Sequence, residues 1–177
     1  DLINYFGSKY ACVVSNGTAA LHLVGIALGW TPGDIILTTP LTFLATANCI
    51  AYSGATPDFV DIDPITYTIN PSQLEKKIKS YLSNGKKVKA VIGVDYAGHP
   101  CDWKSLRKIA DKYDFILVND NCHALGATYL ENKCYAVQYA DVVIQSYHPV
   151  KHITTGEGGS ILTNNSKIDE SLRRLRN

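Results

Sequence analysis

The sequence predicts a three-layer α/β/α fold with a central, mostly parallel sheet. Short apolar runs of strand length alternate with helix-patterned stretches along the whole chain. Those runs are apolar almost throughout rather than alternating, as in strands covered by helices on both faces. Polar, often glycine-bearing segments recur just after the strands, where open parallel sheets bind ligands.

In chain order, Asp1 to Gly7 reads as the last turns of a helix, with Gly7 just past its end. Lys9–Val14 reads as a strand. Gly17–Leu28 reads as a helix, with Ala20, Leu21, Val24 and Leu28 spaced for one face. Asp34–Thr39 is a strand behind the turn pair Pro32-Gly33, and Phe43–Tyr52 is a helix closed by Gly54. Thr56–Asp61 is a strand. Pro71–Leu82 is a helix, with Asn70 as N-cap and Pro71 at the first helical position. Val88–Val94 is a strand, and Asp102 caps a helix that runs to about Tyr113. Phe115–Asn119 and Asp141–Gln145 are strands, and Ser160–Thr163 has the composition of another. Ser171–Asn177 is helical in pattern.

The 177 residues suit one domain, spanning 1–177. Hydrophobic residues at 46% and charged residues at 19% are the balance of a folded globular chain, not a disordered one. The net charge is +1 with no block of like charge, so neither nucleic acid nor a membrane surface is an expected partner. The group Lys86, Lys87 and Lys89 reads as a solvated turn. No apolar run approaches the ~18 residues of a membrane span. The five cysteines contain no C-x-x-C pair and fit reduced, cytoplasmic thiols. The chain lacks Met and both ends lie in helical pattern, so it is expected to be a fragment of a longer protein.

Four segments could carry chemistry. Ser15-Asn16-Gly17-Thr18 joins a strand to a helix; it is either a plain helix cap or a cradle for a phosphate. It has neither P-loop nor dinucleotide-fingerprint spacing. Asp120 ends a strand and is either a turn aspartate or an acid facing a ligand, where it could hold a pyridine nitrogen protonated. His123 follows three residues on. Ser146 to His152, followed by Gly156 to Gly159, places Lys151 just before a glycine turn; it is either a solvated lysine or one able to form a Schiff base. His148 and His152 are separated by Pro149, which argues against a helical metal-binding pair. Phe43 is either a core residue or a stacking surface for a flat ring.

Taken in order, these segments resemble the DegT–StrS family of pyridoxal-phosphate (PLP)-dependent nucleotide-sugar aminotransferases, which have the aspartate aminotransferase-like fold. The resemblance covers essentially the whole chain. It rests on Ser15 to Leu21, Pro32-Gly33-Asp34, Thr42 to Ala47, Gly54 to Pro57 with Asp61-Ile62-Asp63, Asp120 to Gly126 and, most specifically, Ser146 to Gly159. It implies that the chain is the PLP-binding large domain, without an N-terminal portion and a C-terminal small domain. It implies that Lys151 forms the Schiff base and shuttles the proton, and that Asp120 pairs with the pyridine nitrogen. Phe43 would stack on the ring and His123 would lie beside it. Asn16, Gly17, Thr18 and Ser146 would hold the phosphate. The implied reaction moves an amino group from an amino acid, glutamate in the family, through PLP and PMP to a nucleotide-linked 4-keto-6-deoxy sugar for bacterial surface glycans. The implied assembly is a homodimer whose partner chain completes each site.

The run Ser146 to Gly159 is most similar to the branch that aminates C4 of UDP-linked 4-keto-6-deoxy-hexosamines. A neighbouring branch of nucleotide-sugar 3-dehydrases shares Asp-Asn-Cys, as in Asp120-Asn121-Cys122, but has His where Lys151 stands. A 3-dehydrase and a non-catalytic PLP-binding subunit are the alternatives to the aminotransferase.

Overall fold

The structure, a computed structural model, describes residues 1–177. Seven strands form one sheet: β1 (Tyr10–Val14), β2 (Ile35–Thr38), β3 (Thr56–Phe59), β4 (Val88–Val94), β5 (Ile116–Asp120), β6 (Val142–Ser146) and β7 (Gly159–Thr163). Their order across the sheet is β1-β7-β6-β5-β4-β2-β3. Strand β7 runs antiparallel to both neighbours, and the remaining pairs are parallel. Six strands therefore point the same way, and their carboxyl ends share one edge.

The helices are α1 (Leu2–Phe6), α2 (Gly17–Ala27), α3 (Leu44–Tyr52), α4 (Pro71–Ser83), α5 (Trp103–Tyr113), α6 (Tyr135–Tyr139) and α7 (Ser166–Arg176). They cover both faces of the sheet, giving the three layers the sequence predicts. On one face Leu21, Val24 and Ile50 from α2 and α3, with Leu172 from α7, close over Ile36, Ile92, Val118 and Ile144. On the other face Leu74 and Ile78 from α4, Trp103 and Leu106 from α5 and Tyr135 from α6 close over Leu37, Val91 and Leu117. Strand residues alternate between the two cores: Val118 faces the first and Leu117 the second. Each fully buried Leu or Ile contributes about 1.5–3 kcal/mol, so two such cores hold the sheet from both sides. No helix is long and apolar enough to cross a membrane.

The predicted elements are all present, most with ends moved by one or two residues; the last helix begins at Ser166, five residues before the predicted pattern. Asn70 caps α4 as predicted, its side chain accepting from Ser72 N–H at 3.0 Å and Gln73 N–H at 3.2 Å. The sequence reading missed α6 and a short 3₁₀ turn over Tyr96–Gly98; both are too short to show a period. It also misread one lysine. Lys89 is half-buried, and its Nζ donates to Gly29 O at 2.5 Å and to Asp34 Oδ2 at 2.6 Å. Its partners lie 60 and 55 residues away, beyond any local pattern.

Candidate active site

The four segments singled out as able to carry chemistry meet at the carboxyl edge of the sheet. The turn after β1 brings Asn16, Gly17 and Thr18, the segment after β2 brings Thr42 and Phe43, and β4 ends beside Tyr96. Strands β5 and β6 bring Asp120 and Ser146. Together with Lys151 and His123, these residues line one cavity of about 490 Å³, within the ~300–1,000 Å³ range of small-molecule sites. All eight predicted site residues, Asn16, Gly17, Thr18, Phe43, Asp120, His123, Ser146 and Lys151, border it.

One pole is built to meet an anion. Asn16 has an extended backbone, and its side chain accepts from Ala19 N–H at 2.8 Å, starting α2. The cap reading of Asn16 therefore holds for its side chain, and what the turn offers a ligand is backbone. The N–H groups of Gly17 and Thr18 sit in the first helical turn, where no preceding turn can satisfy them and the helix dipole favours negative charge. Packing fixes glycine at two places here. A Cβ on Gly17 would lie 2.8 Å from Ser146 Cβ, and one on Gly159 would lie 2.5 Å from Asn16 C and O. The start of β7 thus packs directly against the turn and holds it beside Ser146.

The second pole is Asp120, only 6% exposed. Its Oδ2 accepts from Thr46 Oγ1 at 2.7 Å, and its Oδ1 from Cys122 N–H at 3.3 Å. Thr46 is fully buried and bonds in turn to Thr42 at 2.8 Å, so a short polar chain runs from the cavity wall to the acid. Neither threonine was singled out; their i, i+4 spacing at the start of α3 was the available signal. Cys122 also lines the cavity. Burial and the negative charge of Asp120 push its thiol well above the usual range.

Lys151 lies on the loop between β6 and β7. That loop is closed at its base by Tyr147 N–H to Gly158 O at 2.8 Å and by Thr155 N–H to Tyr147 O at 3.1 Å. Within it, Lys151 N–H returns to His148 O at 2.9 Å, a tight turn across Pro149 that presents the half-buried lysine to the cavity. His148 Nε2 approaches Glu157 Oε1 at 3.9 Å, and both residues also border the cavity. His123 is half-buried. Burial, then the positive charge of Lys151, lowers its pKa below the ordinary histidine value, and Asp120 opposes the shift. Phe43 is 67% exposed at the N-cap of α3, so it borders the cavity and is not a core residue.

The cavity thus brings together an anion cradle, a buried carboxylate, a primary amine and an aromatic ring. These are complementary to a flat ligand with an anionic end, a basic ring nitrogen and a carbonyl carbon.

The family model described as the DegT/DnrJ/EryC1/StrS aminotransferase family matches residues 1–177. A UDP-4-amino-4,6-dideoxy-N-acetyl-beta-L-altrosamine transaminase of Campylobacter jejuni is 39% identical over 175 residues, covering 99% of this chain and 45% of that protein. A DegT DnrJ EryC1 StrS aminotransferase from Brucella abortus superposes with a TM-score of 0.91 at 32% identity, over 97% of this chain and 46% of that one. NtdA from Bacillus subtilis, solved with bound cofactor PMP, superposes with a TM-score of 0.86 at 31% identity, over 97% of this chain and 37% of that one. The chain spans less than half the length of these relatives.

Proposed function

We propose, from the premise that this chain belongs to the DegT/DnrJ/EryC1/StrS aminotransferase family, that residues 1–177 are the PLP-binding large domain of a nucleotide-sugar aminotransferase. The whole protein would take an amino group from an amino acid, glutamate in our reading. It would deliver that group to a nucleotide-linked 4-keto-6-deoxy sugar used in bacterial surface glycans. We place it in the cytoplasm as a homodimer, with the partner chain completing each site.

The observation that carries the reading is that the amine of Lys151, the carboxylate of Asp120 and the cradle of Gly17 and Ser146 line one cavity. The residues fit PLP group by group. The first turn of α2, with Thr18 and Ser146, would hold the phosphate, at a turn whose glycine leaves no room for a side chain beside Ser146. Asp120 would hold the pyridine nitrogen, Phe43 would cover the ring face and His123 would sit beside it. When bound, PLP supplies an electron sink that stabilises negative charge at the substrate carbon.

The remaining work falls to the chain. Thr46 fixes the orientation of Asp120 by occupying one of its oxygens. A fixed negative charge at the ring nitrogen keeps that nitrogen protonated. Lys151 Nζ would hold the cofactor and then, once freed, move the proton at the substrate carbon; its place on a loop closed at both ends limits how far the amine can wander.

The test is absorption spectroscopy of the whole protein with added PLP, wild type beside Lys151→Ala, followed by borohydride reduction and peptide mapping. The expected result is a visible band that reduction fixes onto the Lys151 peptide, absent in the variant and bleached by glutamate. Amino-sugar product from a UDP-4-keto-6-deoxy-hexosamine, detected by mass, then identifies the acceptor. Attachment of PLP elsewhere, or no band in a folded protein, overturns the reading.

A further inference from the structure

On the far side of β5 from the cavity lies a buried acid that the proposed chemistry does not use. Asp95 follows β4 directly and is fully buried. No lysine or arginine approaches it. Instead, five donors converge on its carboxylate. Cys101 N–H and Trp103 Nε1 donate to Oδ1, each at 2.9 Å. Asn121 Nδ2 and Tyr135 Oη donate to Oδ2, each at 2.7 Å, and Asn119 Nδ2 does so at 3.2 Å. A carboxylate offers about four lone-pair positions, so the acceptor capacity of Asp95 is full.

Two of those donors, Asn119 and Asn121, are the residues on either side of Asp120. The backbone N–H of Asp95 donates to the carbonyl of Asp120 itself at 3.1 Å. One residue of β4's end therefore grips three consecutive residues of β5's end. The alternation of the strand sends the side chains of Asn119 and Asp120 to opposite faces, so the grip lies behind the sheet while the Asp120 carboxylate faces the cavity. The network reaches further: Gln145 Nε2 donates to Asn121 Oδ1, and Gln145 immediately precedes Ser146. Asn121 N–H also donates to Ile144 O at 3.0 Å. The side-chain amides of Asn119 and Gln145 thus both serve as donors in this network.

We propose that Asp95 is a positioning residue of the active site: its buried carboxylate sets the turn from Asn119 to His123, and through Asn121 and Gln145 the end of β6 that carries Ser146. The proposal rests on the reading of Asp120 as the partner of the cofactor's ring nitrogen. Acceptor capacity is what makes Asp95 specific. An asparagine there would turn an NH₂ group toward donors, and a glutamate would not fit the closed cage.

The experiment uses the whole protein as wild type, Asp95→Asn and Tyr135→Phe, the last deleting one donor while keeping the ring. Hydrogen exchange of the cofactor-free proteins reads the grip directly. Exchange should rise over Asn119–His123 in both variants, more in Asp95→Asn, while β1 and α7 exchange as in wild type. With PLP added, binding should weaken roughly tenfold in Asp95→Asn, the scale of losing a hydrogen bond to a charged group. The pH at which the bound cofactor's visible band changes should also move, a shift that a purely structural role would not produce. If Asp95→Asn does not fold, Tyr135→Phe carries the same comparisons with smaller changes. Wild-type exchange over Asn119–His123 in a folded variant overturns the proposal, and so does an unmoved pH profile with unchanged PLP binding. An Asp120→Asn control separates the two ideas. If it too leaves the band's pH dependence unmoved, the reading of Asp120 fails, and the exchange data alone decide the role of Asp95.

Discussion

Thr46 Oγ1 lies 2.7 Å from Asp120 Oδ2, and the two residues are 74 positions apart. One sits in the first turns of α3 and the other at the end of β5, and both are buried. A hydroxyl that bonds a buried carboxylate restricts which way the remaining lone pairs point. Thr46→Val keeps the shape and deletes the donor. Loss of a hydrogen bond to a charged, buried group should destabilise the protein by about 1–3 kcal/mol. Urea unfolding of the cofactor-free protein checks this, and PLP titration should show weaker binding in the same variant.

The contact between β7 and the cradle makes a second expectation. A Cβ on Gly159 meets backbone atoms of Asn16 at 2.5 Å, and backbone has no alternative rotamer. Gly159→Ala should therefore push the Asn16-Gly17 turn away from Ser146. PLP affinity should fall roughly tenfold or more, about 1.4 kcal/mol for each factor of ten. Cofactor titration followed by fluorescence measures it, with circular dichroism to show the fold intact.

His123 supplies a pH signature. Burial and the Lys151 charge together lower its folded pKa below 6.5. Between the folded value and 6.5 the unfolded chain binds more protons than the native one, so stability present above 6.5 is lost as the pH falls toward the folded pKa. Lys151→Ala removes the second of the lowering causes and leaves burial, the largest, and the smaller effect of His152. Its His123 pKa should rise yet stay below 6.5, and the loss of stability on acidification should shrink. Histidine NMR titration of the cofactor-free protein, together with Tm across this pH window, reads both.

Asn70 offers a control far from the cavity. Its Oδ1 accepts from Ser72 N–H, Ser72 Oγ and Gln73 N–H at 3.0, 2.7 and 3.2 Å. Asn70→Ala should cost about 1 kcal/mol in chemical denaturation and leave PLP binding unchanged.

The sequence by itself determined the alternation of strands and helices, the capping of α4 and the segments that bring eight of the residues lining the cavity. Each is written locally: a strand-length apolar run, an Asn-Pro pair, a glycine or an acid just past a strand end. The family resemblance supplied the role of each residue, which spacing alone left open between a cap and a cradle, or between a solvated lysine and a reactive one. The tertiary structure alone decided the strand order, the reversal of β7 and every contact between distant strand ends. Lys89 illustrates the limit: in sequence it belongs to a basic turn, yet in the fold its charge is bound to Asp34 and Gly29. Asp95 illustrates it more fully. Its sequence neighbourhood shows an acid after a strand, as at Asp120. Only the order β6-β5-β4 places it behind Asp120, where alternating side chains send one acid to the cavity and the other into a cage of five donors. The physical reason is range. Capping and periodicity act over a few residues, whereas pairing across a sheet depends on how the whole chain is wound.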